Sequence, residues 1–295
     1  MDEHDFTRKE PPPIPAPSGF GGRAVVTFES RRAAEMASLV ERHGGAPITA
    51  PTLREVPLVE NALALDFARA LGAGAFDAVI LMTGVGTRAL IEEIAPSLDR
   101  AAFAAALGRV ELVVARGPKS AAVLRELGVS GFLAVPEPNT WREVLRAVTD
   151  RGSLAGRRIA VQEHGAPSLE LYEALRGGGA AVTPVPVYKW ALPEDTRPLR
   201  AALHLLAAGH ARVALFTSRA QVEHAFAVAA EEHVVEPLRS ALQRGVVASI
   251  GPVCTEALRA EGLTPDVEPE HPRMGHLVKA AAERAASILL AKEAT

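Results

Sequence analysis

From Arg23 onward, the apolar positions alternate between two rhythms. Short aliphatic and β-branched runs predict strands at Ala24–Thr27, Ala78–Thr83, Val110–Ala115, Phe132–Val135, Ile159–Gln162, Val213–Thr217 and Val246–Ile250. Between them, Ala/Leu-rich stretches with helical spacing predict helices over Arg31–His43, Thr87–Ile94, Ser120–Leu127, Trp141–Asp150 and Ser168–Arg176. Four more follow at Leu199–Ala208, Gln221–Glu231, Thr255–Glu261 and His276–Ala291. Gly44, Gly128, Gly177 and Gly262 come just after four of these helices, where a left-handed C-terminal cap favours glycine. Strand and helix in alternation predict an α/β chain of parallel sheets with helices on both faces.

The pattern repeats at a constant offset. Thr83 and Thr217 lie 134 residues apart, and so do Gly117 and Gly251, Pro118 and Pro252, Leu124 and Leu258, and Gly128 and Gly262. The same shift carries Arg23 to Arg157, Glu29 to Glu163, Gly44 to Gly178, Gly45 to Gly179 and Thr49 to Thr183. Glycine and proline landmarks that keep register over this length indicate two copies of one β/α unit, with a cleft between like halves. Two proline-spaced stretches, Ile48–Pro57 and Val182–Pro193, interrupt the rhythm at matching places. Proline removes ladder donors, so both are expected as edge strands or linkers, together forming a two-stranded hinge. A chain that crosses such a hinge twice must build one domain from both of its ends.

Composition narrows the function. At 295 residues and 48% hydrophobic, the chain suits two globular domains. With only 9 Phe, 2 Trp and 2 Tyr, the core must rest mainly on Ala, Leu and Val. A formal charge of −3 argues against a broad cationic surface for nucleic acid or membranes. One cysteine excludes an intrachain disulfide and a cysteine-cluster metal site. Residues 1–22 are proline-rich and acidic at the start, so they are expected to be a disordered tail rather than a secretory signal. No stretch reaches about 18 apolar residues, and a soluble cytoplasmic protein is expected.

Candidate chemistry gathers where predicted strands hand over to helices. Thr83-Gly-Val-Gly-Thr-Arg88 and Arg116-Gly-Pro-Lys-Ser120 occupy such places in one copy, with Thr217-Ser-Arg-Ala-Gln221 and Gly251-Pro-Val-Cys-Thr255 in the other. Glycine lets backbone approach a ligand, and free N–H groups at helix starts attract anions. Helix capping is the better reading of any one of these hydroxyls, but four such turns at strand C-terminal ends match the ligand-binding edge of open α/β sheets. Gly84-Val-Gly86 lacks the third glycine of a dinucleotide fingerprint, and no phosphate-binding lysine loop, nucleophile elbow or metal-ligand spacing is present. The histidines are scattered, Cys254 reads best as a small buried residue, and Arg31-Arg32 and Arg157-Arg158 read as solvated pairs that could meet carboxylates near a cleft. Tyr188, inside the second linker, offers a phenol that can assist a leaving oxygen, and an ordinary packing role in the linker explains it equally well.

The order of these parts resembles the uroporphyrinogen-III synthase family over about Arg23–Ala291. The likeness rests on the Thr83-Gly-Val-Gly turn, Arg116-Gly-Pro-Lys with Leu124 and Gly128, and the linker Tyr188. Leu215-Phe-Thr-Ser218, and Ile250-Gly-Pro with Thr255, Ala257, Leu258 and Gly262, complete it. It implies two flavodoxin-like domains joined by a two-stranded linker, one of them discontinuous: residues 23–47 with 192–295, residues 54–183, and linkers at 48–53 and 184–191. The implied reaction closes hydroxymethylbilane with inversion of ring D through a spiro intermediate, without cofactor or metal. Tyr188 is the implied catalytic residue. The implied substrate-binding positions are Thr83, Gly84, Val85, Gly86, Arg116, Gly117, Lys119, Ser120, His164 and Gly165 in one domain. Thr217, Ser218, Arg219, Gln221, Gly251, Val253 and Thr255 face them. A monomer is expected, with hydroxymethylbilane synthase as the partner that hands over an unstable substrate. Cys254 and Gly84 stand where many relatives carry a hydroxyl residue. Two other readings stay open: a bilobal ligand-binding module and a non-catalytic regulatory relative.

Overall fold

A computed structural model describes residues 19–58, 61–163 and 165–294, so the tail expectation for residues 1–18 and the His164 assignment lie outside the described residues. The chain begins with β1 (Ala24–Thr27), α1 (Ala33–Arg42) and β2 (Ala46–Thr49), then runs through β3 (Arg54–Pro57). There follow α2 (Ala62–Gly72), β4 (Ala78–Leu81), α3 (Gly84–Ile94), α4 (Arg100–Leu107), β5 (Leu112–Ala115) and α5 (Pro118–Glu126). Next come β6 (Leu133–Ala134), α6 (Trp141–Thr149), β7 (Arg158–Gln162), α7 (Leu169–Gly177), β8 (Ala181–Val185) and β9 (Tyr188–Ala191). The last part holds α8 (Arg197–Ala207), β10 (Val213–Phe216), α9 (Arg219–Glu231), α10 (Val235–Arg244), β11 (Val246–Ser249), α11 (Pro252–Ala260) and α12 (Met274–Glu293).

Two parallel sheets result. One has the order β11-β10-β1-β2, the other β6-β5-β4-β7-β8. We call the units built on them the first and second lobe. The first takes strands from both ends of the sequence. Between them β3 and β9 pair antiparallel, Arg54 opposite Ala191 and Pro57 opposite Tyr188. Pro47 and Pro184 lie in β2 and β8, each at the edge of its sheet, where a missing ladder donor is tolerated.

The 134-residue shift is carried by the fold. It superposes β3 on β9, β5 on β11 and α5 on α11 without slippage. It also carries the Val114–Leu133 pairing of β5 and β6 onto the Ala248–Val267 bridge. Each copy places its opening β-α-β unit in one lobe and the remainder in the other, with its crossing strand in between.

Alternation along each strand sends neighbouring side chains to opposite faces. In the first lobe Val26, Phe28, Ala214 and Phe216 pack towards α8 and α9, while Val25, Val213 and Leu215 pack towards α1 and α12. In the second lobe Val79, Leu81 and Val113 face α2–α5, and Ile80, Val114 and Val161 face α6 and α7. Among the described residues, none of these apolar clusters joins the two lobes.

Three helices depart from the sequence reading, which passed over α2, α4 and α10. α2 and α4 are alanine-rich, so their buried face shows little contrast with the other face. α10 carries Pro237 in its first turn, where no intrahelical donor is lost. The four helices at the motif turns also begin earlier than expected: α3 at Gly84, α5 at Pro118, α9 at Arg219 and α11 at Pro252. Thr83, Gly117, Ser218 and Gly251 are therefore the residues just before each helix, and Gly84–Gly86 form a first helical turn rather than a loop.

Candidate active site

The carboxyl ends of β4, β5 and β7 carry Thr83, Arg116 and Glu163, and those of β1, β10 and β11 carry Phe28, Thr217 and Ile250. Thr83 adopts an extended backbone, φ −145° and ψ 150°, and its hydroxyl accepts from Gly86 N at 3.0 Å. Its own N–H donates to Gln162 Oε1 at 3.3 Å. Before α5, Gly117 N donates to Ser120 Oγ at 3.3 Å, and that hydroxyl donates to Gly117 O at 3.0 Å. Ser218 accepts from Gln221 N at 3.3 Å. Thus three predicted binding hydroxyls, on Thr83, Ser120 and Ser218, cap their own helices. Val85 projects from the first turn of α3 and is 37% exposed.

The glycines of that turn have a packing reason. A Cβ on Gly84 would sit 2.6 Å from Lys119 O, and one on Gly86 would collide with the Gln162 amide and lie 2.8 Å from Thr83 Oγ1. Gly86→Ala is expected to cost about 1–3 kcal/mol, as overpacking does, because Gln162 must swing away and leave Thr83 N unpaired. A denaturation midpoint unchanged from the parent would contradict this. Gly165, with φ +92°, gives β7 its exit; a Cβ there would lie 2.5 Å from the Trp190 ring on the crossing strand. Gly165 O accepts from Trp190 N at 3.1 Å, which ties the second lobe to the linker.

In the first lobe, the predicted polar groups already have partners. Thr217 Oγ1 donates to Glu29 Oε2 at 2.7 Å, and Gln221 Nε2 donates to the same oxygen at 3.4 Å. Gln221 also supports the turn itself, accepting from Thr217 N at 2.7 Å. Thr255 bonds Ser249 Oγ at 2.8 Å and donates to Glu268. Gly251 and Val253 sit in and before the first turn of α11 without side-chain polarity. Arg219 reaches across the cleft to Glu170 of α7 at 2.7 Å and pairs with Glu256 at 3.5 Å. Arg142–Glu256 (2.9 Å), Arg273–Glu137 (3.1 Å) and His271–Glu137 (3.3 Å) also bridge the lobes.

Tyr188 begins β9 and is 5% exposed, packed with Val185 and Val187 against the second-lobe core. Burial pushes its phenol pKa up; the Thr83 hydroxyl and the Arg31 and Arg116 cations act against that, while Glu55 adds to it. The phenol is therefore neutral at physiological pH. The fold sets the Tyr188 phenol of the linker beside the Thr83 hydroxyl and the Arg116 cation. Burial pulls the Arg116 guanidinium down, Tyr188 opposing.

The family model described as uroporphyrinogen-III synthase HemD matches residues 34–279. The chain belongs to the uroporphyrinogen-III synthase family. A Bacillus subtilis protein, the uncharacterized protein YjjA, is 28% identical over 88% of this chain and 95% of its own length. A protein of Methanothermobacter thermautotrophicus, provisionally named a uroporphyrinogen-III synthase, is 30% identical over 88% of this chain and 96% of its own. Among solved structures, a substituted form of the uroporphyrinogen III synthase of Thermus thermophilus is 28% identical, with a TM-score of 0.69 over 90% of this chain and 99% of that one. The two-domain α/β architecture is that of these synthase structures.

Several residues at this edge escaped the sequence reading of a uroporphyrinogen-III synthase. Gln162 props the Thr83 turn, Glu29 holds Thr217, and Glu170 meets Arg219. Only Glu29 left a trace, through its match with Glu163 at the 134-residue shift. The arginine pairs meet the protein's own carboxylates from partly exposed positions, Arg31 on Glu55 at 3.0 Å and Arg158 on Asp77 at 3.0 Å. Burial pushes the Cys254 thiol up to about 11, which keeps it protonated. No group of three or more metal-ligating side chains occurs among the described residues, and no described helix is long and apolar enough to cross a membrane.

Glu163 is a buried carboxyl whose pKa burial raises, while its bond from Tyr172 OH at 2.8 Å opposes the rise. A raised carboxyl pKa favours the neutral form in the fold. The stability it lends is complete below the unfolded pKa and is lost as pH rises through the folded one. Glu163→Gln keeps an acceptor for Tyr172 and removes the charge. Its melting temperature is expected to exceed the parent's at pH 8 and to equal it at pH 4; the reverse order would show a charge that the fold requires.

Proposed function

We propose that this chain closes linear hydroxymethylbilane to uroporphyrinogen III with inversion of ring D. The terminal hydroxymethyl group loses its hydroxyl, which takes a proton and departs as water, leaving an azafulvene-type electrophile. The substituted α-carbon of ring D attacks it to give a spiro intermediate. The older bond, from that carbon to the methylene of ring C, then breaks and leaves a second azafulvene on ring C; ring D turns, and its free α-carbon bonds that methylene and gives up its proton. Atoms balance as substrate less one water.

The observation that carries this reading is the neutral Tyr188 phenol, set on the crossing strand beside Thr83 and Arg116 at the carboxyl edge of the five-stranded sheet. A phenol held protonated in a buried place can assist loss of the hydroxyl. Closure without inversion needs only collision of chain ends, so the enzyme's task is positioning. The polar lobe contacts, set on a two-stranded hinge, suit opening to admit a large substrate and closing around it. The same reading has the chain act in the cytoplasm as a monomer and receive its unstable substrate from hydroxymethylbilane synthase.

The test is incubation with enzymatically generated hydroxymethylbilane, followed by oxidation and chromatographic separation of the porphyrin isomers. The type III isomer in excess over an enzyme-free control is expected. Type I alone would overturn the assignment.

A further inference from the structure

Arg116 stands just past the end of β5, half-buried beside the Tyr188 phenol, and the chain must turn there to enter α5. The parallel ladder of β5 and β6 closes with Val135 N on Ala115 O at 2.9 Å. Its next rung would run from Gly117 N to Val135 O. Gly117 N turns instead to Ser120 Oγ, the bond that starts α5. The side chain of Asn139 takes the vacated place. With its carboxamide oriented to satisfy both of its ends, Nδ2 donates to Arg116 O and to Val135 O, each at 2.9 Å.

Asn139 holds a left-handed backbone, φ 58°, closed by its own N–H on Pro136 O at 3.0 Å. Asparagine tolerates that conformation better than most residues, so the turn accounts for its backbone but not for its two side-chain bonds. The 134-residue shift shows whether the fold needs such a pin in both copies. It carries Gly117 to Gly251, which likewise precedes a helix that starts at proline, but Arg116 to Ile250 and Asn139 to Arg273. Arg273 bonds Glu137 of the other lobe at 3.1 Å. The copy with an isoleucine at this turn does without an asparagine there.

We infer that Asn139 is a positioning residue: its carboxamide fixes the Arg116–Gly117 turn and so keeps the Arg116 cation beside the Tyr188 phenol. A phenol that gives its proton to a departing hydroxyl becomes negative, and a cation held beside it stabilises that charge as it forms. The Arg116 cation already acts on Tyr188 in this sense. A guanidinium on a long stem gives that help only while its root is fixed, and a misplacement of about 1 Å can cost about 10²-fold in rate.

This inference rests on the synthase reading above, and the isomer assay separates the two. The constants kcat and KM for type III formation are measured for the parent, Asn139→Gly, Asn139→Asp, Arg116→Leu and the double variant Asn139→Gly/Arg116→Leu. Glycine takes up a left-handed turn without strain, so Asn139→Gly removes the amide and spares the backbone. Asn139→Asp keeps the shape of the side chain but offers the two carbonyls only acceptors. Each is expected to lower kcat about tenfold, with KM within about twofold of the parent. In the Arg116→Leu background, Asn139→Gly should change kcat by less than about twofold, because the group it positions is gone. An unchanged kcat in either single variant, or the same loss with and without Arg116, overturns the positioning role while a type III product still upholds the synthase. A parent protein that yields no type III product removes both readings together.

Discussion

Phe216→Ala is expected to lower the unfolding free energy by about 3–5 kcal/mol, the range for removing a buried phenyl ring and leaving a cavity. Phe216 closes β10 and stacks on Phe28, the residue after β1, with ring centroids 4.4 Å apart and planes 18° from parallel. Both rings are fully buried on the face covered by α8 and α9. Since a domain typically has about 5–15 kcal/mol in hand, this one truncation removes a large share. Urea unfolding should show a lower midpoint with an unchanged slope. The effect also reaches the cleft, because Phe216 precedes Thr217 and Phe28 precedes Glu29. A loss under about 1 kcal/mol would mean that neighbouring side chains refill the space.

Tyr188→Phe is expected to slow type III formation by about 10²–10⁴-fold, the usual contribution of a positioned general acid. The ring fills the same volume in the second-lobe core, so binding of uroporphyrinogen III and the melting temperature should stay near the parent values. Because burial raises the phenol pKa, the acid form persists through neutral pH and is lost only above the ordinary tyrosine value of about 10. The parent rate should therefore show no fall from deprotonation of this group between about pH 7 and 9. Some type I product is expected from unassisted closure. Type III formed by Tyr188→Phe at the parent rate would assign the proton to another donor.

The contacts between the lobes are weak in kind. Arg219–Glu170 and Arg142–Glu256 join partly exposed side chains, and such pairs contribute about 0–1 kcal/mol each. The apolar clusters stop at lobe boundaries, which leaves the β3–β9 ribbon as the covalent tie. With Tyr188 on that ribbon and almost wholly buried, substrate access and the phenol are linked to the same hinge.

Local physics determined the larger outline in advance. Strand and helix periods, glycine caps and the 134-residue repeat set out two parallel-sheet units, because these features depend on near neighbours and on backbone restrictions. Pro184 marked a sheet edge for the same reason: a residue without an N–H cannot serve both flanks of a strand. The motif turns were legible as well, since glycine and hydroxyl residues before a helix have few other uses. Tertiary structure alone decided which of those turns are free. Glu29 and Thr217 are separated by most of the chain, as are Glu170 and Arg219 by nearly fifty residues, and no spacing rule brings either pair together. Charge pairing over such separations follows from how the crossing strands set the lobes face to face. The sequence therefore yields a symmetric inventory of polar groups, and the folded molecule makes it asymmetric by setting Glu29 against Thr217 while Gln162 serves Thr83.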